Sequence, residues 1–286
     1  MTSRKKGIFA LIVLSVVWAS FGIFIRFFSP YFTSFQQIYL RLFIGGAISL
    51  LIFRKDVHFK NLLHAPKKDL LVLLFRIIVF YAIGVVFYIQ AFLLTTYADV
   101  SLLGAIPTTA LLGFILLREK ITLQKILLIL LSVIGILFIT IHDVHHLFSW
   151  GRGDMVALIA DFFFSLSYIG RKWQTNYFNN KELATYMLVG AFFLIFGLSL
   201  FSGEAIPTLT TFTPTITIVL LIVGILNVLS IYFVNIGFAN IEAALASNIV
   251  SLESFWAVIF GFLIYKEIPS IGTLIGGIFI ILSVIL

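Results

Sequence analysis

The sequence predicts an all-α membrane protein: ten transmembrane helices, folded as two inverted five-helix repeats, with both termini cytoplasmic. Three observations predict it. Of 286 residues, 61% are hydrophobic and only 11% are charged, and the mean hydropathy is +1.15. A soluble domain carries about 25% charged residues, and a chain of this size cannot bury so much apolar surface against itself. Two segments 148 positions apart match: Gly113-Phe114-Ile115-Leu116-Leu117-Arg118-Glu119 and Gly261-Phe262-Leu263-Ile264-Tyr265-Lys266-Glu267. Finally, the basic residues gather on one side of the predicted spans.

A bilayer-spanning helix needs about 20 apolar residues. The first span, 7–28, follows Arg4, Lys5 and Lys6. Its apolar run is longer than that of a signal peptide and lacks a small-residue cleavage site, so it reads as a retained helix. The next four spans are 34–53, 70–94, 99–117 and 122–141. A loop at 142–152 leads to spans 153–174, 183–202, 214–238, 243–264 and 269–286. Pro30, Pro66, Pro207 and Pro214 fall in loops or at span ends, as helix breakers should. Pro107 alone falls inside a span, the fourth. The last span reaches Leu286 with no polar tail, so the chain either stops in the membrane or continues beyond this sequence. The repeats are 7–141 and 153–286.

With the N-terminus inside, Arg4, Lys5, Lys6, Arg54, Lys55, Lys60, Lys67, Lys68, Arg118, Lys120, Lys125, Arg171, Lys172 and Lys181 are all cytoplasmic. Only Arg152 and Lys266 fall outside, while Arg26, Arg41 and Arg76 lie within spans. This asymmetry orients the chain. It also accounts for the net charge of +7, which is therefore no sign of nucleic-acid binding. With five spans per repeat, an odd number, the second copy is upside down. Inverted repeats are the usual frame of secondary transporters, whose site lies near the midplane between the halves.

The chain resembles the drug/metabolite transporter superfamily, specifically its ten-helix EamA type, along essentially its whole length. Trp18-Ala19-Ser20, Arg41, Pro107 and the ending Leu116-Leu117-Arg118-Glu119-Lys120-Ile121-Thr122 carry the resemblance, with Ser251-Leu252-Glu253-Ser254 in the second copy. Ala19 stands where the family usually has Gly. Ser254 stands where it usually has Pro, which puts the proline kink of the ninth helix in question. The resemblance implies export or exchange of small organic metabolites through a cavity built mainly from helices 1, 3, 4, 6, 8 and 9. It also implies a peripheral second helix, with Arg41 in a structural ion pair, and an inner (plasma) membrane location.

Several residues carry candidate chemistry. In the sixth span Asp154, Ala157, Asp161, Ser165, Tyr168 and Lys172 share a stripe about 80° wide at 100° per residue. Lipid cannot face that stripe, because an ionised side chain mid-bilayer is costly. The first span has a matching stripe of Ser15, Trp18, Ala19, Gly22 and Arg26, either a cavity wall or a small-residue packing seam. Asp161 and Glu253 are the acids near mid-span. Three roles stand open for them: proton coupling, since desolvation disfavours the charged carboxylate; ion pairing with Arg41 or Arg76; and binding of a substrate amine. On the ninth helix Ser247, Ser251 and Ser254 form one stripe, with Glu253 about 120° away beside Trp256. A straight helix would let only one of these faces line a cavity. Tyr81 and Tyr88, with Arg76 nearby, suit an aromatic or carboxylated metabolite or simple core packing. Asn227, Ser230 and Asn235 suit substrate polar groups or interhelical hydrogen bonds. Pro107 marks a hinge or a tolerated kink.

His142, Asp143, His145 and His146 cluster between the repeats, which as a short loop reads as incidental rather than as a metal site. No cofactor, catalytic motif or nucleotide-binding domain is expected. The expected partners are a small-molecule substrate and the lipid bilayer, with a homodimer left open. The leading reading is therefore an alternating-access secondary transporter with amino acids as first candidates. A passive facilitator is the alternative, and a membrane-embedded lipid enzyme a remote one.

Overall fold

The computed structural model describes residues 2–95, 100, 103–104, 106–140, 151–266 and 268–286. Among them there is no β-strand. The main helices are α1 (Ser3–Phe28), α2 (Ser34–Ile52), α3 (Lys67–Leu94), α4 (Thr108–Leu116), α5 (Leu123–Thr140), α6 (Arg152–Trp173), α7 (Asn180–Phe201), α8 (Pro214–Asn240), α9 (Ala243–Ile264) and α10 (Ile271–Ile285), with short helical turns at Lys60–His64 and Leu209–Thr211. Seven of them (α1, α2, α3, α6, α7, α8 and α9) are long and apolar enough to cross a membrane. The described parts of α4, α5 and α10 are shorter.

Helix ends follow local chemistry. Thr33 and Gln36 close a reciprocal capping box at α2, and Asn179 and Glu182 do so at α7. Each box satisfies backbone donors that the first turn would leave bare. Thr213 caps α8 with Pro214 in the first helical position, where its missing N–H costs nothing.

The packing has two-fold logic. Exchanging α1 with α6, α2 with α7, α3 with α8, α4 with α9 and α5 with α10 maps most of the helix contacts onto one another. α1 packs on α8 as α6 packs on α3, and α1 packs on α9 as α6 packs on α4. α2 meets α7, α4 meets α9 and α5 meets α10 directly. The backbone repeats too. Arg118 (φ 54°) and Lys266 (φ 59°), 148 positions apart, both adopt the left-handed conformation just after their helices. At the α5–α10 crossing, a Cβ on Gly135 would come within 2.7 Å of the Gly276 carbonyl oxygen. Only glycine permits so close an approach.

Three helices are irregular where they approach the centre of the bundle. α3 widens into a π-helical stretch at Ile78–Val85, which re-aims the side chains around Tyr81; such bulges often accompany functional sites. Pro107 is the N-cap of α4 rather than an interior residue, with helical residues Val100 and Leu103 before it. The fourth span is therefore broken at the proline. α9 is interrupted at Ser251, between Ala243–Val250 and Leu252–Phe260. It breaks without the family's proline, so that kink does not depend on residue 254.

Candidate functional site

α1, α2, α3, α6, α8 and α9, together with α4 and the residues just before it, enclose a central cavity. About 150 Å³ of it is open to the centres of water molecules. At roughly one probe sphere of 10–15 Å³ per water, that is room for about ten waters or a small organic molecule. Both repeats contribute to its wall. The lining residues come from the C-terminal half of α1, the N-terminal half of α2, the second half of α3 and the middle of α9. The cavity therefore lies towards the end of the bundle away from the chain's N-terminus.

At the other end aromatic rings close it. Trp18 stacks on Tyr168 with centroids 5.5 Å apart, and Tyr168 stacks on Phe238 at 4.5 Å and 12°. The Trp18 indole N–H donates to Ser230 Oγ at 2.8 Å. This holds the ring in place and ties α1 to α8. Phe80 and Phe164 extend the wall at 5.0 Å from each other. A Cβ at Gly84 would sit 2.7 Å from the Phe164 ring, so glycine there makes room for that ring. Thr109 and Ser165 hydroxyls, 2.7 Å apart, join α4 to α6.

Below this floor lies a second, polar closure. Glu119 Oε1 accepts the Ala243 N–H at 2.7 Å and its Oε2 accepts that of Ala244 at 3.2 Å. The carboxylate of the first repeat thereby caps the N-terminus of α9 in the second, where the helix dipole favours a negative charge. Lys172 Nζ donates to Ile241 O at 2.6 Å and lies 4.0 Å from Glu119. Lys125 pairs with Glu242.

The sequence-selected residues divide on this geometry. Trp18, Tyr81, Tyr88, Asp161, Tyr168, Asn227 and Glu253 line the cavity. Two others do not. Arg76, expected on the wall, is fully buried beside it. Its Nε donates to Ser167 O at 3.1 Å, and its Nη1 donates to Gln174 Oε1 at 2.7 Å and Asn235 Oδ1 at 2.8 Å. Those acceptors draw the guanidinium into the α3–α6–α8 seam. Trp256 turns away and donates to Ser15 Oγ at 3.1 Å, so the Ser15 end of the α1 stripe is a packing seam while Trp18 faces the cavity.

Arg41 reverses its expectation. α2 is not merely peripheral, because Ile38, Arg41 and Leu42 line the cavity. Arg41 Nε donates to the Gln37 carbonyl at 2.9 Å. The four ion pairs among the described residues involve Glu182, Glu242, Glu119 and Asp56. The ion pairing of Asp161 or Glu253 with Arg41 or Arg76 is therefore not made. Thr108 hydrogen-bonds Asp161, whose buried Oδ2 has no partner, as is also true of the Tyr81 hydroxyl. On α9, Ser247, Ser251, Ser254 and Glu253 all line the cavity. Both faces thus reach the cavity, on either side of the interruption at Ser251.

Phe80, Phe164, Phe238 and Thr109 are wall residues that sequence reasoning missed. With 32 phenylalanines in the chain, no spacing separates a cavity ring from a core ring. Among the described residues no three His, Cys, Asp or Glu side chains gather as a metal site would need. The His142, Asp143, His145 and His146 cluster and Glu267 lie outside the described residues.

A membrane-helix bundle whose two repeats share one central cavity has the architecture of a membrane transporter. The chain belongs to the EamA-like transporter family, whose model matches residues 5–141 and 151–286. Members of that family transport small molecules across membranes. Among solved structures, one described as "Crystal structure of protein" is similar at a TM-score of 0.76 and 14% identity, covering 98% of this chain and 97% of that one. It speaks for the fold alone. No curated protein matches the chain.

Proposed function

We propose that this protein is a secondary transporter that exports or exchanges small organic metabolites by alternating access, with amino acids as the leading class. In this reading ten helices span the inner (plasma) membrane as two inverted repeats, 7–141 and 153–286, with both termini cytoplasmic. The observation that carries it is a single cavity built by both repeats, lined by Asp161 and Glu253 and closed at the N-terminal end by the Trp18–Tyr168–Phe238 stack. With the N-terminus inside, that arrangement is an outward-facing one, and rocking of the repeats would open the opposite end.

Asp161 and Glu253 are close enough to interact electrostatically and have no cation partner among the described residues. Two neighbouring carboxyls in a poorly solvated cavity disfavour holding two negative charges. This supports a proton, or a substrate amine, as what neutralises them during the cycle. Pro107 and Ser251, the breaks in α4 and α9, serve as the hinges of the rocking motion.

The test is uptake of a labelled amino-acid mixture into proteoliposomes, with and without an imposed proton gradient. Gradient-driven, saturable uptake is the expected result. Saturable uptake indifferent to the gradient would make the protein a facilitator. Absence of any uptake would remove amino acids as the substrate class.

A further inference from the structure

Arg41 is a buried cation of α2 with no ion-pair partner among the described residues. It is 5% exposed, lines the cavity, and its one hydrogen bond among the described residues runs from Nε to a neutral carbonyl one turn back on its own helix. Arg76, away from the cavity, makes three hydrogen bonds into a polar seam, with its Nη2 left unpartnered. An ionised side chain at this depth is expensive, and intramembrane cations usually pair or serve a pathway. Tyr81 and Tyr88 line the same cavity. The Tyr81 hydroxyl is buried without a partner. A guanidinium fork and a phenol that lacks an acceptor form the donor set that suits a planar carboxylate.

We propose that Arg41, with Tyr81, is the carboxylate-binding pole of the cavity, separate from an ammonium-binding pole at Asp161 and Glu253. The preferred cargo is then a small zwitterion, held by both charges. This rests on the amino-acid reading above and extends it to the residue that selects for the carboxylate. Asp161 and Glu253 do not reach ion-pair distance of Arg41, so the cation and the acids are left apart for a ligand to bridge. Trp18 and Tyr168, which also line the cavity, offer apolar ring surface to the part of the ligand that carries no charge.

The test uses the full chain in lipid nanodiscs, with binding measured by calorimetry for L-phenylalanine, L-phenylalaninamide and 3-phenylpropionate. Wild type should bind phenylalanine most tightly. The amide, which lacks the carboxylate, should bind roughly ten- to a hundred-fold more weakly, the loss expected for a charged hydrogen bond. Arg41→Gln should bring phenylalanine to the affinity of the amide and leave the amide unchanged. Arg41→Lys, which keeps the charge without the fork, should fall between. Equal binding of phenylalanine and its amide to wild type overturns the pole and leaves the transport reading standing. So does an equal loss of both in Arg41→Gln. If that variant does not fold, the ligand series on wild type and on Arg41→Lys decides alone. Wild type that binds none of the three probes overturns the pole and the amino-acid reading together.

Discussion

Replacing Glu119 with Ala should unlatch the N-terminal end of the cavity. In the structure this carboxylate, only 10% exposed, accepts two backbone N–H groups of α9 at 2.7 and 3.2 Å and lies 4.0 Å from Lys172. A hydrogen bond to a charged group is worth about 1.5–3 kcal/mol. Two that share one carboxylate do not add fully, and water refills the exposed donors once the end opens, so the closed form should lose about 2–4 kcal/mol. That is a shift of about thirty- to a thousand-fold in the ratio of closed to open. The assay exploits a chain that contains no cysteine. Ser247→Cys places one thiol on the cavity wall, one turn into α9. Its reaction with a membrane-impermeant maleimide, applied to vesicles from the side bearing the N-terminus, reports opening. Glu119→Ala should speed labelling from that side at least ten-fold, and Glu119→Gln, which keeps an acceptor without the charge, should lie between. Unchanged labelling in a folded, stable Glu119→Ala protein would refute the latch.

Four further outcomes follow from the geometry. Glu253→Gln should abolish proton-linked flux in proteoliposomes at unchanged protein level; normal proton-driven uptake would remove the carboxyl from coupling. Arg76→Met should strand the Gln174 and Asn235 oxygens, each buried acceptor costing about 1–3 kcal/mol, and so lower thermal stability in detergent. The same variant should leave the ranking of substrates unchanged, and an altered ranking would return Arg76 to the cavity. Gly84→Val should push against Phe164, 2.7 Å from the added Cβ, and cost about 1–3 kcal/mol by overpacking, read as a lower melting temperature. Ser254→Pro should be tolerated within about 1 kcal/mol. It removes only the Ser254 N–H bond to Ser251 O at 3.1 Å from a helix already broken, whereas a proline in an intact helix costs about 3 kcal/mol or more; a loss of that size would show that α9 is continuous.

The repeat was legible because its signals are local. The Gly-Phe endings and their 148-residue spacing reappear as two left-handed turns at Arg118 and Lys266. The polar stripe of α6 was legible for a related reason: at 3.6 residues per turn, Asp161 and Tyr168 lie on one face whatever that face meets. What escaped was partner choice. Nothing near Arg76 in sequence announces Asn235, 159 positions away, and Gln174 is as common-looking as any surface glutamine. The two faces of α9 were irreconcilable only on the assumption of a straight rod, and a serine gives no sign that it will break one.

The charges that found partners and those that did not point the same way. Arg76 is held by three neutral oxygens with its Nη2 left unpartnered, and Glu119 by two backbone N–H groups with Lys172 4.0 Å away. Arg41, Asp161 and Glu253 were free in principle to pair with each other, and two acids beside a cation would stabilise a static core. The bundle instead holds them beyond ion-pair distance around one cavity. A buried charge without a partner destabilises the protein that carries it, and occupancy of the cavity would relieve that cost. Under the proposed transport cycle, the empty protein would bind whatever neutralises these charges, and lose that incentive once the wall rearranges. The same separation of charge that costs stability would thus drive loading on one side and release on the other, and this predicts that a zwitterionic ligand raises the melting temperature of wild type more than that of Arg41→Gln.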